Sequence, residues 1–152
     1  MIITNENDIY IYFEVIEQLE PQKILDFGMF LKRAGSVSRK VMNREVPEKV
    51  RLDGVDFFPE TNFPVWKNIY DRITDYRIFF NNGTSGKYDC SILLGIRELQ
   101  EKVSLTQIIN AARNNSRYAL ISDISSPWME TDCRIADLKV EDDIYYLVDF
   151  GE

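Results

Sequence analysis

The sequence contains no histidine. That absence removes Ser-His-Asp and Cys-His nucleophilic catalysis, imidazole general bases and histidine metal ligands. Any chemistry must rest on carboxylates, Lys, Tyr, Cys, backbone groups or a bound cofactor. Cysteine is scarce as well. Cys90 and Cys133 are the two present, and one pair at that spacing makes neither a zinc signature nor a disulfide framework. Cys90 lies in an apolar run and reads as a small buried hydrophobe. Basic charge is the minority sign, with 18 Lys and Arg against 25 Asp and Glu and a net charge of −7. That balance repels phosphates, so nucleic acid is not expected as a partner. No run approaches the roughly 18 uninterrupted apolar residues of a membrane span. The N-terminal stretch lacks the basic region of a signal peptide and carries acids among its apolar residues. The expectation is a cytoplasmic protein without membrane association.

What is present is apolar surface. Of 152 residues, 45% are hydrophobic, with nine Phe and eight Tyr, enough for one core and a single domain over residues 1–152. Helix-like and strand-like segments alternate along it. Residues 8–20 place Ile9, Tyr12, Phe13, Ile16 and Leu19 at helical spacing, with Asn5 or Asn7 as cap and Pro21 as stop. Lys23 to Phe27 reads as a buried strand feeding a tight turn at Gly28. Residues 29–43 put Phe30, Ala34, Val37 and Val41 on one helical face, with Lys32, Arg33, Arg39 and Lys40 elsewhere on it. Val50 to Asp56 is a second strand. Thr61 or Asn62 caps a helix through about Ile73, with Pro64 in its first turn. Tyr76 to Phe80 is a third strand and Tyr88 to Leu94 a fourth. Ser104 and Gln107 form a capping box for a helix carrying Leu105, Ile108, Ile109 and Ala112. Arg117 to Ser122 is a fifth strand. Arg134 to Val140 and Ile144 to Phe150 flank an acidic turn and read as a hairpin. This alternation implies an α/β three-layer sandwich: a mostly parallel sheet with a C-terminal antiparallel hairpin.

In an open parallel sheet, ligands sit beyond the carboxyl ends of the strands, where strand order reverses. The candidates are therefore Asp26, Phe27 and Gly28 after the first strand, Asp56 and Phe57 after the second, Asn81 or Asn82 after the third, Gly95 after the fourth and Asp123 after the fifth. An acid closing the second strand can accept hydrogen bonds from both ribose hydroxyls of an adenosine ligand. A glycine after the first lets the backbone approach that ligand, and an aromatic beside the acid can cover the adenine. The same residues have plainer uses: Asp26 as a helix cap and Asp56 as a solvated loop acid. The tail acids from Glu130 to Asp143 do not match a calcium loop, and no metal is expected. The Ser125-Ser126-Pro127-Trp128-Met129 loop reads either as a contact surface or as a segment folded back onto the sheet.

Ile24-Leu25-Asp26-Phe27-Gly28 resembles the first motif of the Rossmann-like S-adenosylmethionine-dependent methyltransferases: two apolar residues, an acid, any residue, then glycine. Leu52-Asp53-Gly54-Val55-Asp56 is similar to that family's second strand. Tyr88-Asp89-Cys90-Ser91-Ile92-Leu93-Leu94 resembles its fourth, and the order of elements covers nearly the whole chain. The resemblance implies a Rossmann-like fold, with S-adenosylmethionine as cofactor. Asp26 and Gly28 would line its methionine side with Phe27 also in the cofactor site, Asp56 would take its ribose, Phe57 would lie near its adenine, and Asn81 or Asn82 would reach the adenine edge. Asp89, at the start of its strand, is expected to be structural. Phe30 and Lys32 stand where the family continues with glycines, and little sequence is left for a substrate cap. The expectation is a non-catalytic member acting through protein contacts, as a homodimer or with another protein. The alternative is a small methyltransferase with an unidentified acceptor.

Overall fold

The structure, a computed structural model, describes residues 6–29, 50–59, 70–82, 87–122, 134–140 and 143–151. Its elements are α1 (Glu6–Leu19), β1 (Lys23–Phe27), β2 (Arg51–Asp56), β3 (Arg72–Asp75), α2 (Tyr76–Asn82) and β4 (Tyr88–Leu93), followed by α3 (Ile96–Leu99), α4 (Leu105–Asn115), β5 (Ser116–Ser122), β6 (Arg134–Val140) and β7 (Asp143–Asp149). The strands form one sheet in the order β3-β2-β1-β4-β5-β7-β6. β1 to β5 are mutually parallel. β7 runs antiparallel to β5, and β6 antiparallel to β7. The chain lays β2 and β3 on one side of β1, then returns to lay β4 on the other. Order therefore reverses between β1 and β4.

Burial follows from that position. β1 is nearly continuously buried, as expected of a central parallel strand covered on both faces. One face carries α1, whose Ile11, Tyr12, Val15 and Ile16 form a helical stripe against Ile24, Leu52, Ile92 and Tyr145. The other face carries α3 and α4, whose Leu99, Ile108, Ile109 and Ala112 pack with Leu25, Val55, Leu93 and Ile121. Helices on both faces make the expected three-layer sandwich. At the end of α1, Glu20 takes a left-handed conformation at φ 47° and its N–H donates to the Ile16 carbonyl at 2.9 Å before Pro21. Ser104 caps α4, accepting from the Gln107 N–H at 3.3 Å while its hydroxyl donates to Gln107 Oε1 at 3.0 Å.

Several expectations differ from the structure or lie outside the described residues. Tyr76 to Phe80 is helix α2, and the third strand is Arg72–Asp75. The apolar run Ile78-Phe79-Phe80 suggested a buried strand, but Tyr76, Phe79 and Phe80 sit at i, i+3 and i+4, a helical stripe. Asp75 caps it, accepting the Arg77 N–H at 2.9 Å. Ile73, expected on a helix, belongs to β3; the rest of that expected helix, up to residue 69, lies outside the described residues. Asn7 lies inside α1 and donates to Asp143 at 2.9 Å rather than capping. Asn5, the expected helix from Phe30 onward and the Trp128 loop lie outside the described residues. No helix among the described residues is long and apolar enough to cross a membrane.

Candidate functional site

The register of β1 on β2 sets Phe27 opposite Val55. Gly28 and Asp56 consequently follow side by side, and the Gly28 N–H donates to the Val55 carbonyl at 2.9 Å. The two strand tips share one rim, next to the point of order reversal. β3 adds Asp75 opposite Asp56 on the same rim.

Period-2 alternation sends neighbouring tip residues to opposite faces. Asp26 goes to the α1 face. It is fully buried, and the Tyr70 hydroxyl donates to its Oδ2 at 2.7 Å. Tyr70 itself lies over Gly54: a Cβ there would stand 3.1 Å from Tyr70 Cδ1 and 2.8 Å from Met29 Cγ. Gly54 is thus the residue over which Met29 and Tyr70 close. Gly28 and Met29 are successive left-handed residues, at φ 83° and 57°. That conformation costs a non-glycine residue about 1 kcal/mol, here offset by the burial of the Met29 side chain. The open side of Gly28 faces α3, where a Cβ would meet Leu99 Cδ2 at 2.6 Å.

Phe27 and Phe57 go to the other face, and both are fully buried. Tyr76 is stacked on Phe57, with centroids 5.6 Å apart and planes at 15°. Phe80 meets Phe57 edge-on at 5.7 Å, and Phe27 lies tilted beside it at 6.5 Å. Phe79 meets Phe27 edge-on at 5.4 Å. Five rings therefore close the space beyond β1 and β2, and all of these contacts but the tilted Phe27–Phe57 pair are of the stacked or edge-to-face kind that aromatic quadrupoles favour. Asp56 is half-buried, and its Oδ1 accepts the Phe58 N–H at 2.9 Å, bracing the turn after β2. Asn81 is exposed near the end of α2, more than a turn beyond the tip of β3. The position at that tip belongs to Asp75. Its carboxyl is held below the ordinary carboxylate range, chiefly by the hydrogen bond from the Arg77 side chain.

A cleft of about 400 Å³ lies between α2 and α4, lined by Phe79, Phe80, Gln107, Asn110 and Asn114 among others. None of the expected site residues lines it. The described residues contain no group of three or more carboxylates and cysteines placed to hold a metal. Sequence reading found the two tips but missed what covers them: Met29, Tyr70, Leu99 and the α2 aromatics. The helical spacing of Tyr76, Phe79 and Phe80 was the available signal for the last group; nothing local marks Leu99 or Tyr70.

No family model matches the chain, and no curated protein matches its sequence. Solved structures do match. The O-methyltransferase TomG from Streptomyces achromogenes, solved in complex with S-adenosylmethionine, superposes over 99% of this chain and 82% of its own, with a TM-score of 0.62 at 12% identity. The N-methyltransferase NodS from Bradyrhizobium japonicum matches over 94% of this chain and 93% of its own, with a TM-score of 0.56 at 8% identity. The 16S rRNA methylase RmtB matches with a TM-score of 0.60 at 12% identity over 94% of this chain. This chain spans 62% of the length of RmtB. At these identities the likeness establishes the fold: a methyltransferase-like Rossmann fold.

Proposed function

We propose that this chain, with its methyltransferase-like fold, does not bind S-adenosylmethionine and acts through contacts with protein. The observation that carries the reading is the five-ring cluster beyond β1 and β2. The fold implies an adenosine beside the acid and the aromatic that follow the second strand. Here the corresponding Phe57 has no exposed surface, with Tyr76 stacked on it and Phe80 and Phe27 beside it. The room that a glycine after β1 would leave for a ligand is taken by Leu99. The residues present do not fit the cofactor in the manner of the fold, and no methyl-transfer step follows from them. The net charge of −7 favours a protein surface over nucleic acid as the partner.

Calorimetric titration with S-adenosylhomocysteine, together with melting curves, tests this. A ligand present at 100 times its dissociation constant stabilises a fold by about 2.7 kcal/mol. The expected result is no heat and no shift at millimolar ligand. Saturable binding overturns the reading in favour of a small methyltransferase with an unidentified acceptor. The adjacency of Gly28 and Asp56 favours that second reading. Under it, Asp56→Ala abolishes the affinity and leaves the fold intact.

A further inference from the structure

A protein that works through contacts needs a surface for them, and the sheet ends in two edge strands. β3 is four residues long, and Arg77 already pairs with its Asp75 at 2.6 Å. β6 is seven residues long and, among the described residues, pairs with β7 alone. Alternate residues of such a strand turn N–H and C=O groups outward, ready for another strand. Lys139 on it is exposed.

We infer that β6 pairs antiparallel with β6 of a second copy about a two-fold axis at Leu138, making the chain a homodimer. The inference rests on the contact reading above. A two-fold interface must be complementary to itself, and the sequence of β6, Arg-Ile-Ala-Asp-Leu-Lys-Val, is so in this register. With Leu138 opposite Leu138 of the second copy, Asp137 falls opposite the second copy's Lys139, and Lys139 opposite its Asp137. Ala136 falls opposite Val140. Directly opposed unlike charges stabilise a strand pair and like charges oppose it. Moving the axis one residue back sets Asp137 against Asp137; moving it one forward sets Lys139 against Lys139. The charges thus select the register. It also matches even positions to even and odd to odd, so residues turned outward on one copy meet residues turned outward on the other. A lysine on an edge strand ordinarily discourages pairing. Asp137 two positions away converts it into a specific pair.

Sedimentation velocity on the full chain, from low to high micromolar concentration, tests the inference. The wild type is expected to dimerise. Lys139→Asp and Asp137→Lys are each expected to weaken association by about tenfold or more, since two favourable pairs become two repulsive ones. An equimolar mixture of the two variants restores the dimer, because each supplies the charge the other lacks. Misfolding cannot produce that rescue, and circular dichroism on each variant confirms its fold. A wild type that stays monomeric overturns the inference, as does a dimer unchanged in both variants. A monomer that ignores S-adenosylhomocysteine removes the pairing alone. Binding of S-adenosylhomocysteine removes the contact reading itself, whatever the oligomeric state.

Discussion

The two ends of the sheet are built from different materials. At the N-terminal ends of the strands, carboxylates are committed to holding the strands together. Asp89 accepts the N–H groups of Gln22 and Lys23 at 2.8 and 3.0 Å, the structural part expected of it. Asp71 accepts from the Leu52 N–H at 2.8 Å and returns its own N–H to the Leu52 carbonyl at 2.7 Å. Asp53 accepts the Tyr88 hydroxyl at 2.7 Å and Arg51 Nε at 3.0 Å. At the C-terminal ends, where open α/β sheets bind ligands, Tyr70 lies on Asp26, and aromatic rings and Leu99 fill the space beside Phe57 and Gly28. An acid at a strand tip is therefore weak testimony to a site. What decides is whether the space beside it is left for a ligand or filled from within.

The sharpest way to break this comparison is to set Phe57 against Asp56. Phe57→Ala empties a fully enclosed position between Tyr76, Phe80 and Phe27. It is expected to cost about 3–5 kcal/mol in urea denaturation. Asp56→Ala removes the hydrogen bond from the Phe58 N–H at a half-buried turn and is expected to cost about 0.5–1.5 kcal/mol. A ligand site would show the opposite ranking, with the aromatic dispensable to stability. A Phe57→Ala cost below that of Asp56→Ala would sink the enclosed-cluster account.

Gly54→Ala probes the α1 face of the same rim. Its new methyl would stand 2.8 Å from Met29 Cγ and 3.1 Å from Tyr70 Cδ1. Overpacking of this kind costs about 1–3 kcal/mol, read from the same denaturation curves. Met29→Ala in the same chain is expected to relieve part of that cost. A fully tolerated Gly54→Ala would mean that Met29 and Tyr70 do not close over β2 as described.

At the opposite end, Tyr88→Phe leaves the Asp53 carboxylate short of one donor and is expected to cost about 1–2 kcal/mol. Burial, then the hydrogen bond to Asp53 and its charge, raise the Tyr88 hydroxyl above its ordinary value near 10. A group whose folded pKa is raised contributes stability that is whole below the unfolded value and is lost as pH rises past it. Unfolding curves above pH 10 should therefore fall more steeply for the wild type than for Tyr88→Phe. Equal slopes would remove Tyr88 as a buried, proton-holding partner of Asp53.

The sheet was legible in the sequence because its signals are local. Buried runs such as Ile24 to Phe27 and Leu52 to Val55, and the capping pair Ser104 and Gln107, declare themselves without reference to the rest of the chain. β3 was not legible. Arg72 to Asp75 is short, with Ile73 its single apolar residue, whereas the apolar run that follows it looks more like a strand than the strand does. The rim was half legible: Gly28 and Asp56 follow β1 and β2 side by side. Their coverings come from far along the chain, Tyr70 lying 44 residues beyond Asp26. No window of sequence around Gly28 contains Leu99, and the filling of a tip is a property of the assembled sheet.

The smallest expected effect concerns the seam between the two materials, at the head of α2. Asp75 joins them, since it ends β3 and caps the helix that carries Tyr76, Phe79 and Phe80. Asp75→Ala removes a cap and is expected to cost about 0.5–1.5 kcal/mol. Asp75→Asn keeps the acceptor while losing the charge. Arg77 is 65% exposed, so the ion pair itself adds little, and the asparagine variant should lie close to wild type. The folded-state pKa of Asp75 is lowered, so its contribution is present above the ordinary carboxylate value near 4 and fades as pH falls through the folded value. Near-ultraviolet circular dichroism of the aromatic cluster, followed from pH 6 downward, reads the same event through the rings. If the asparagine variant lost as much as the alanine one, α2 would be held by charge rather than by its cap. The aromatic rim would then loosen with added salt, as the hydrogen-bonded floor at the other end of the sheet should not.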